Sequence, residues 1–439
     1  MVWVFSWMGP GLLWGQETAT SPDLLANQKD QAEILQEADD IFAEVSDLSG
    51  LPIKHSVEKK FGDQAFFRDY YLRLLQEQYP PEKEKAFEKA FAFLGFLPPG
   101  SDLIQTYLDS FMKVVEGLYD PNTKTLYIAD WIKSGDQEGT LAHELTHALQ
   151  DQYFDLQTYL AAGESLSMDT QFARASVMEG QAVAIALNYS LEDRKTDFTK
   201  VANIADWVEL NNLMSASGKR AFGMKASLNQ EINFPYVYGA AFLQSYIKTY
   251  GWPGMGYLFQ HPPTSTHQIL HPGDFFPHRR NPVGIQIEDM SSNVLPGFKK
   301  IWENTFGEYG WAILLQQYMT EKEALYSVRG WRGDSIQIYE NKDNRGLLMA
   351  GYVVFDGEES ADDFFRSYQE LLKKKYDVDI FRRSDDTIFW VSLKGGDSEA
   401  YVERFGRRVV IVEGGNPHWT PRVRGALWDV RSVKAGARR

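Results

Sequence analysis

The spacing of apolar positions divides the chain into two textures. From Leu24 to about Gly50, apolar residues recur every three or four positions, the period of an amphipathic helix. The same period runs through residues 62–79, 82–97 and 103–117, with breaks at Pro80-Pro81 and at Pro98-Pro99-Gly100. The first third therefore reads as a helical lobe. Two short β-prone runs flank Asp120-Pro121-Asn122-Thr123 and predict a hairpin that leads into a helix over residues 140–153. Helical spacing resumes over 166–193 and 234–251, whereas 251–296 is rich in Pro, Gly and His and reads as loop. Beyond Phe306 the pattern changes to strands at 334–341, 347–355, 386–393 and 407–414, with a helix over 359–376. The expected fold is α+β: a mostly helical domain over 23–300 with a short hairpin, then a smaller α+β domain over 301–439 with helix on one face of an antiparallel sheet.

The helix that follows the hairpin carries Thr-Leu-Ala-His-Glu-Leu-Thr-His, residues 140–147. A helix turns about 100° per residue, so His143 and His147 share a face and can present two imidazoles to one ion. Glu144 is offset enough to miss the ion yet reach a water on it. Zinc lowers the pKa of such a water to about 7, and a nearby carboxylate can then take its proton. A catalytic site wants a third protein ligand, and Glu179 is the expected one. It is the sole acid of an otherwise small and apolar helical run, where an uncompensated carboxylate would be costly. Gly180 beside it would let two helices approach closely. An ion pair with Arg174 is the competing explanation of Glu179, and Glu164 is a weaker candidate ligand, since its surroundings read as loop.

Composition narrows the chemistry. The net charge of -15 over 439 residues argues against a nucleic-acid surface. There is no cysteine, so thiolate metal sites, disulfides and cysteine nucleophiles are excluded, and any metal must be held by His, Asp or Glu. Residues 1–22 are apolar to about Trp14 and then polar, which resembles a secretory signal without its usual basic start, the first Lys or Arg being Lys29. A secreted or cell-envelope location is expected, with membrane association through that segment alone.

The motif HELTH with a downstream helical glutamate resembles the gluzincin group of zinc metallopeptidases, typified by thermolysin. Closer still is a family of uncharacterised bacterial proteins sharing segments such as GLYDPNTKTLYI, LAHELTHALQDQYFDL, VMEGQAVA, FPYVYGAAF, PPTSTHQILHP and RGWRGD, over roughly Pro52 to Gly333. The resemblance implies a zincin-like catalytic domain with His143, His147 and Glu179 as Zn2+ ligands and Glu144 as general base; it gives no substrate, and the expectation of a peptide or protein substrate comes with the reading as a zinc metallopeptidase. The spacing from His147 to Glu179 exceeds that of thermolysin-like enzymes, so an insertion is expected between the two ligand helices. In gluzincins a His or Tyr beyond the third ligand stabilises the oxyanion. The candidates are His271, ranked first, then Tyr236 and Tyr238.

Other roles follow from position alone. Asp151, one turn after His147, could orient a ligand or simply be solvated. The strand around Tyr127 could pair with an extended peptide if it lies at a sheet edge. His267 and His271 repeat the i, i+4 spacing; a second metal site competes there with a loop bordering the cleft, which Pro262, Pro263, Pro272 and Pro277 favour. Two alternatives to a peptidase stand at this point: a non-catalytic envelope protein with a structural metal site, and a metal hydrolase of a non-peptide amide or ester.

Overall fold

The computed structural model describes residues 24–131, 137–161, 166–191, 196–214, 226–376, 378–394, 397–430 and 432–433. The expected signal segment, residues 1–22, and Glu164 lie outside the described residues.

The N-terminal lobe opens with helix α1 (Leu24–Ser49), strand β1 (Glu58–Gly62), α2 (Gln64–Gln78), α3 (Pro81–Leu94) and α4 (Leu103–Val114). The breaks have local causes. Asp63 and Asp102 cap α2 and α4 by accepting the backbone N–H of Phe66 and Gln105. Pro81 begins α3, and Gly95 ends it in the left-handed region. The expected hairpin follows as β2 (Gly117–Asp120) and β3 (Thr125–Ala129), its turn tied by Asp120, which accepts from Asn122 N and Thr123 Oγ1.

The hairpin is part of a three-stranded sheet in the order β1-β3-β2, with β1 parallel to β3. The strand of Tyr127 is therefore central, and the expected edge position for pairing a peptide does not hold. Both sides of β3 are occupied, because residues 58–62, which lack a strong alternating pattern, add a strand to it.

Behind the hairpin stand α5 (Glu138–Phe154), α6 (Leu156–Ala161), α7 (Met168–Leu191), α8 (Ile204–Met214) and α9 (Ala226–Tyr250). α5 and α7 are buried along most of their lengths, so neither shows the one-sided stripe of a surface helix. α6 lies between His147 and Glu179 in the chain. Residues 251–296 are mostly irregular, with the short helices α10 (Met255–Gln260) and α11 (Thr266–Leu270) and the two-residue strand β4 (Gly284–Ile285), which pairs with β12 (Ser432–Val433). Among the described residues, no helix is long and apolar enough to cross a membrane.

The C-terminal part is built on a seven-stranded antiparallel sheet in the order β5-β6-β7-β11-β10-β9-β8. Its strands are β5 (Phe298–Asn304), β6 (Trp331–Asn341), β7 (Leu347–Phe355), β8 (Val378–Ser384), β9 (Ile388–Leu393), β10 (Glu399–Phe405) and β11 (Arg408–Gly415). The first strand begins at Phe298, so a boundary at 300/301 falls inside it. Helices α12 (Gly307–Gln316) and α13 (Glu321–Val328) lie between β5 and β6, α14 (Glu358–Lys375) follows β7, and α15 (Thr420–Trp428) follows β11. The sheet is covered on both faces rather than one. Along β11, Val409 and Ile411 join the large core with Phe364, Phe365 and Tyr368 of α14, while Val410 and Val412 join a second core with Val423 and Leu427 of α15. A continuous apolar run such as Val409–Val412 is what a strand buried on both sides requires. The large core runs without a break from Ile34 in α1 to Ile411 in β11.

Candidate metal centre

The helix α5 brings His143, Glu144 and His147 to the interior, and α7 brings Glu179 against them; all four are buried. Small residues make the approach possible: Ala142 and Ala148 on α5 and Ala175 and Ala182 on α7 are fully buried. His143 Nε2 lies 3.1 Å from His147 Nε2 and 3.1 Å from Glu179 Oε2, and His147 Nε2 lies 3.4 Å from the same oxygen. One ligand atom from each residue thus points at a common centre, and the three could hold a metal ion. Glu179 does not pair with Arg174, whose Nη1 donates instead to Tyr159 O at 2.7 Å.

The tautomer of His147 is fixed by a residue that the motif did not single out. Gln150, one turn on, is buried, and its Nε2 donates to the carbonyl of Met178 at 2.9 Å and to Gln181 Oε1 at 3.0 Å. A carbonyl can only accept, so Gln150 must turn its own oxygen toward His147. That oxygen takes the Nδ1 proton at 2.8 Å, which leaves the Nε2 lone pair facing His143 and Glu179. The local field favours a positive charge at this point. Burial opposes an imidazolium at His147, but the adjacent Glu179 carboxylate outweighs it and raises the group to about 9. Burial by itself would raise Glu179, yet the two histidines outweigh it and hold its carboxyl below the usual range. Two imidazoles and one carboxylate closing on a point suit a divalent cation better than they suit one another.

Glu144 is offset from that centre, as its helical position requires. Its Oε2 accepts the backbone N–H of Tyr119 in β2 at 2.8 Å, and its Oε1 is buried without a hydrogen-bond partner among the described residues. Burial pushes this carboxyl up, against the pull of His147 and His143. The hydroxyl of Tyr71, on α2, is likewise buried without a hydrogen-bond partner among the described residues, and burial, then the charge of Glu144, hold it well above its ordinary value.

The structure sorts the three candidate oxyanion donors. Tyr236 belongs to the centre: its ring stacks on His143 at 5.9 Å between centroids, and its hydroxyl reaches the Glu179 carboxylate. Burial, then the charges of Glu179 and Glu144, hold the phenol well above its ordinary value, so it stays a donor. It is placed by a helix crossing. A Cβ on Gly180 would stand 2.6 Å from the backbone of Gly239, and one on Gly239 would stand 2.3 Å from Ser176 O. The backbones of α7 and α9 therefore touch one residue from Glu179 and one turn from Tyr236. Gly180 serves this crossing rather than an approach of α7 to α5. Tyr238 faces away, packed on Phe234 and Tyr309 with its hydroxyl 3.4 Å from Glu321 Oε1.

His271 is not brought to this centre. Its Nε2 lies 2.8 Å from Glu308 Oε1, on the segment after α11. α11 itself docks on the start of α7, where Thr266 donates to Asp169. Asp169 and Glu179 are ten positions apart on one helix, about 15 Å at 1.5 Å per residue. Of the three candidates, Tyr236 is the one placed against His143 and Glu179. Asp151 orients neither histidine. It accepts from the Tyr119 hydroxyl at 2.8 Å, from Lys124 Nζ at 2.6 Å and from Leu156 N at 3.1 Å, and so ties the hairpin to the end of α5.

Gln150 was readable in principle, because it follows His147 by one helical turn and is uncharged in a buried run. Tyr71 was not, lying 73 residues before Glu144 on a helix whose apolar stripe gives no reason to separate it from core. No curated protein and no solved structure matches the chain. A domain of unknown function, DUF8575, matches residues 296–424, a stretch that opens just before β5, closes within α15 and contains none of His143, Glu144, His147 or Glu179.

Proposed function

We propose that the chain is a zinc-dependent hydrolase of the peptidase kind, with His143, His147 and Glu179 as the ion's ligands and Glu144 as general base. The observation that carries this reading is the triangle of ligand atoms. A tetrahedral ion with bonds of about 2.0–2.1 Å to nitrogen and oxygen has ligand atoms about 3.3–3.4 Å apart, and the separations here are 3.1, 3.1 and 3.4 Å. Three ligands fill one face of that tetrahedron and leave the fourth position for water and substrate, as catalysis requires and a purely structural site does not. The helical zincin-like arrangement, with a hairpin strand beside the ligand helix, belongs to the same proposal.

A bound zinc ion would supply Lewis acidity, making a water acidic and a carbonyl electrophilic. The chain supplies the rest. Glu144 Oε2 is held by Tyr119 N, and the free Oε1 takes the proton of the attacking water, then passes it to the leaving amine. The Tyr236 phenol donates to the oxygen that becomes negative as the tetrahedral carbon forms. Gln150 keeps the His147 lone pair pointed at the centre throughout.

The amide or ester need not be a peptide. The same proton transfers hydrolyse either, and the complete burial of Glu144, His147 and Glu179 favours a compact substrate over a long chain. The deciding experiment offers the zinc-loaded protein a mixed peptide pool and a panel of small amides and esters, with Glu144→Gln alongside. Turnover should fall by about 10²–10⁴-fold in the variant while zinc is retained. Peptide products establish a peptidase, and small-molecule products alone establish the second reading. Equal turnover by both proteins would remove Glu144 as base and the mechanism with it.

A further inference from the structure

A second group of side chains repeats the first in outline. In the first, an i, i+4 histidine pair has ring centroids 4.8 Å apart, a carboxylate from another helix touches both rings, and a buried polar side chain holds the far nitrogen of one of them. In the second, the rings of His267 and His271 have centroids 4.7 Å apart. Glu308, at the start of α12, meets His267 Nδ1 with Oε2 and lies 2.8 Å from His271 Nε2 with Oε1. The far nitrogen of His267, Nε2, faces Asp274 Oδ2 at 2.7 Å. Asp274 is in turn 3.5 Å from Arg280 Nη1, which steadies its charge.

We infer that His267, His271 and Glu308 form a second metal site, for a divalent transition ion of the zinc, iron(II) or manganese class. One ligand atom from each residue lies within 4.8 Å of the others. Two imidazoles and one carboxylate select such ions over calcium or magnesium, which take oxygen ligands. The ligating nitrogens are His267 Nδ1 and His271 Nε2. The Nε2 proton of His267 then goes to Asp274, the carboxylate–histidine–metal arrangement that sets a ligand's tautomer and raises its basicity. Glu308 and His267 are buried, while the His271 side chain is 44% exposed, so the site opens to solvent on the His271 side and an ion can enter there.

The placement gives the ion a task separate from the first centre. His267 and His271 belong to the mostly irregular stretch that docks on α7, and Glu308 belongs to α12, which connects β5 to β6 of the C-terminal sheet. Trp331, the first residue of β6, packs against the His267 ring at 6.2 Å. An ion here adds three bonds between the helical lobe and the C-terminal part to the packing of the shared core. It would stabilise the joined form by mass action, to an extent set by free metal over its dissociation constant.

The test is metal content of the full-length chain after equilibration with free Zn2+, comparing native protein, His147→Ala and His271→Ala, each checked for folding by circular dichroism. The expected result is about two ions per native chain and about one in either variant. An X-ray anomalous difference map at the zinc edge, collected on native crystals, locates the ion without any variant and covers the case in which one fails to fold. Density between His267, His271 and Glu308, with loss of one ion in His271→Ala, sustains the site. Unchanged content in His271→Ala with no density there overturns it and leaves His267 as a hydrogen-bonded link between Glu308 and Asp274. A native chain whose single ion disappears only with His147→Ala overturns it as well, while the first centre stands. A single ion lost only with His271→Ala would keep this site and remove the first.

Discussion

Gln150 offers the sharpest test of how the first centre is organised, because it is none of the three candidate ligands and yet sets which nitrogen of His147 is free. Gln150→Leu conserves much of the volume and removes the acceptor for His147 Nδ1 together with donors to Met178 O and Gln181 Oε1, at 2.8, 2.9 and 3.0 Å. Met178 O lies within α7 and keeps its helical partner, so the groups left stranded in the interior are the imidazole N–H and the Gln181 oxygen. Each stranded buried group costs about 1–3 kcal/mol. Partners that orient a metal-bound histidine typically contribute 10–100-fold in affinity, about 1.4–2.7 kcal/mol. Gln150→Leu should therefore weaken zinc binding by about that factor, measured by competition with a chromophoric chelator. Gln150→Glu separates orientation from packing. It keeps an acceptor for Nδ1 while losing both donors, so it should hold zinc nearly as tightly as the native protein but unfold at lower urea concentration. The reasoning would be refuted by a folded Gln150→Leu protein that competes for zinc as well as native.

Three further outcomes follow from the same geometry. Tyr236→Phe removes the donor to the developing oxyanion together with the hydroxyl contact to Glu179, and should retain zinc while lowering kcat by about 10–10³-fold; a change confined to KM would assign Tyr236 to binding. In Gly239→Ala, the new Cβ would start 2.3 Å from Ser176 O, so α7 and α9 must part, at a cost of about 1–3 kcal/mol in urea unfolding and with weaker zinc binding. An unchanged midpoint would mean the crossing is looser than it looks. Asp169 and Asp334 give the pH dependence. Burial raises their carboxyls from an ordinary 3.8 to about 8 and about 6 respectively. Both groups hold protons more tightly folded than unfolded, so the stability they contribute is full below about pH 3.8 and is lost as pH rises through about 6 and then about 8. Asp169→Asn keeps an acceptor for Thr266, and the fall in melting temperature between pH 5 and pH 9 should be shallower in it than in native protein; parallel curves would count against a buried proton at Asp169.

The parts of the molecule that were legible in the sequence share one property: their signal is local. Helical period marked α1 to α4, turn chemistry at Asp120 to Thr123 marked the hairpin, and the spacing of His143 and His147 marked one face of one helix. Glu179 was legible because an acid among alanines at helical spacing needs an explanation within its own segment. What depended on another segment was hidden. β1 is a strand because β3 offers it a parallel partner 67 positions away, and Glu58–Gly62 alone gives no alternation to reveal that. The pattern of β11 showed a strand but could not tell one buried face from two. The exchange of His271 for Tyr236 has the same origin. Both lie beyond the third ligand, and what separates them is the contact of Gly180 with Gly239, a meeting of two glycines 59 positions apart.

The hydrogen bond from Tyr119 to Glu144 has a consequence for how this chain can vary over time. The donor is a main-chain N–H, which every amino acid except proline possesses. Mutation can therefore rewrite the side chain at position 119, giving up the Asp151 contact and adjusting the hairpin, while the carboxylate keeps its anchor. A library randomised at that codon would lose the anchor itself in a single amino acid of the twenty. The proposed general base is thus shielded from the genetic drift of its nearest neighbour, whereas the contact of Gln150 with His147, carried by a side chain, has no such protection.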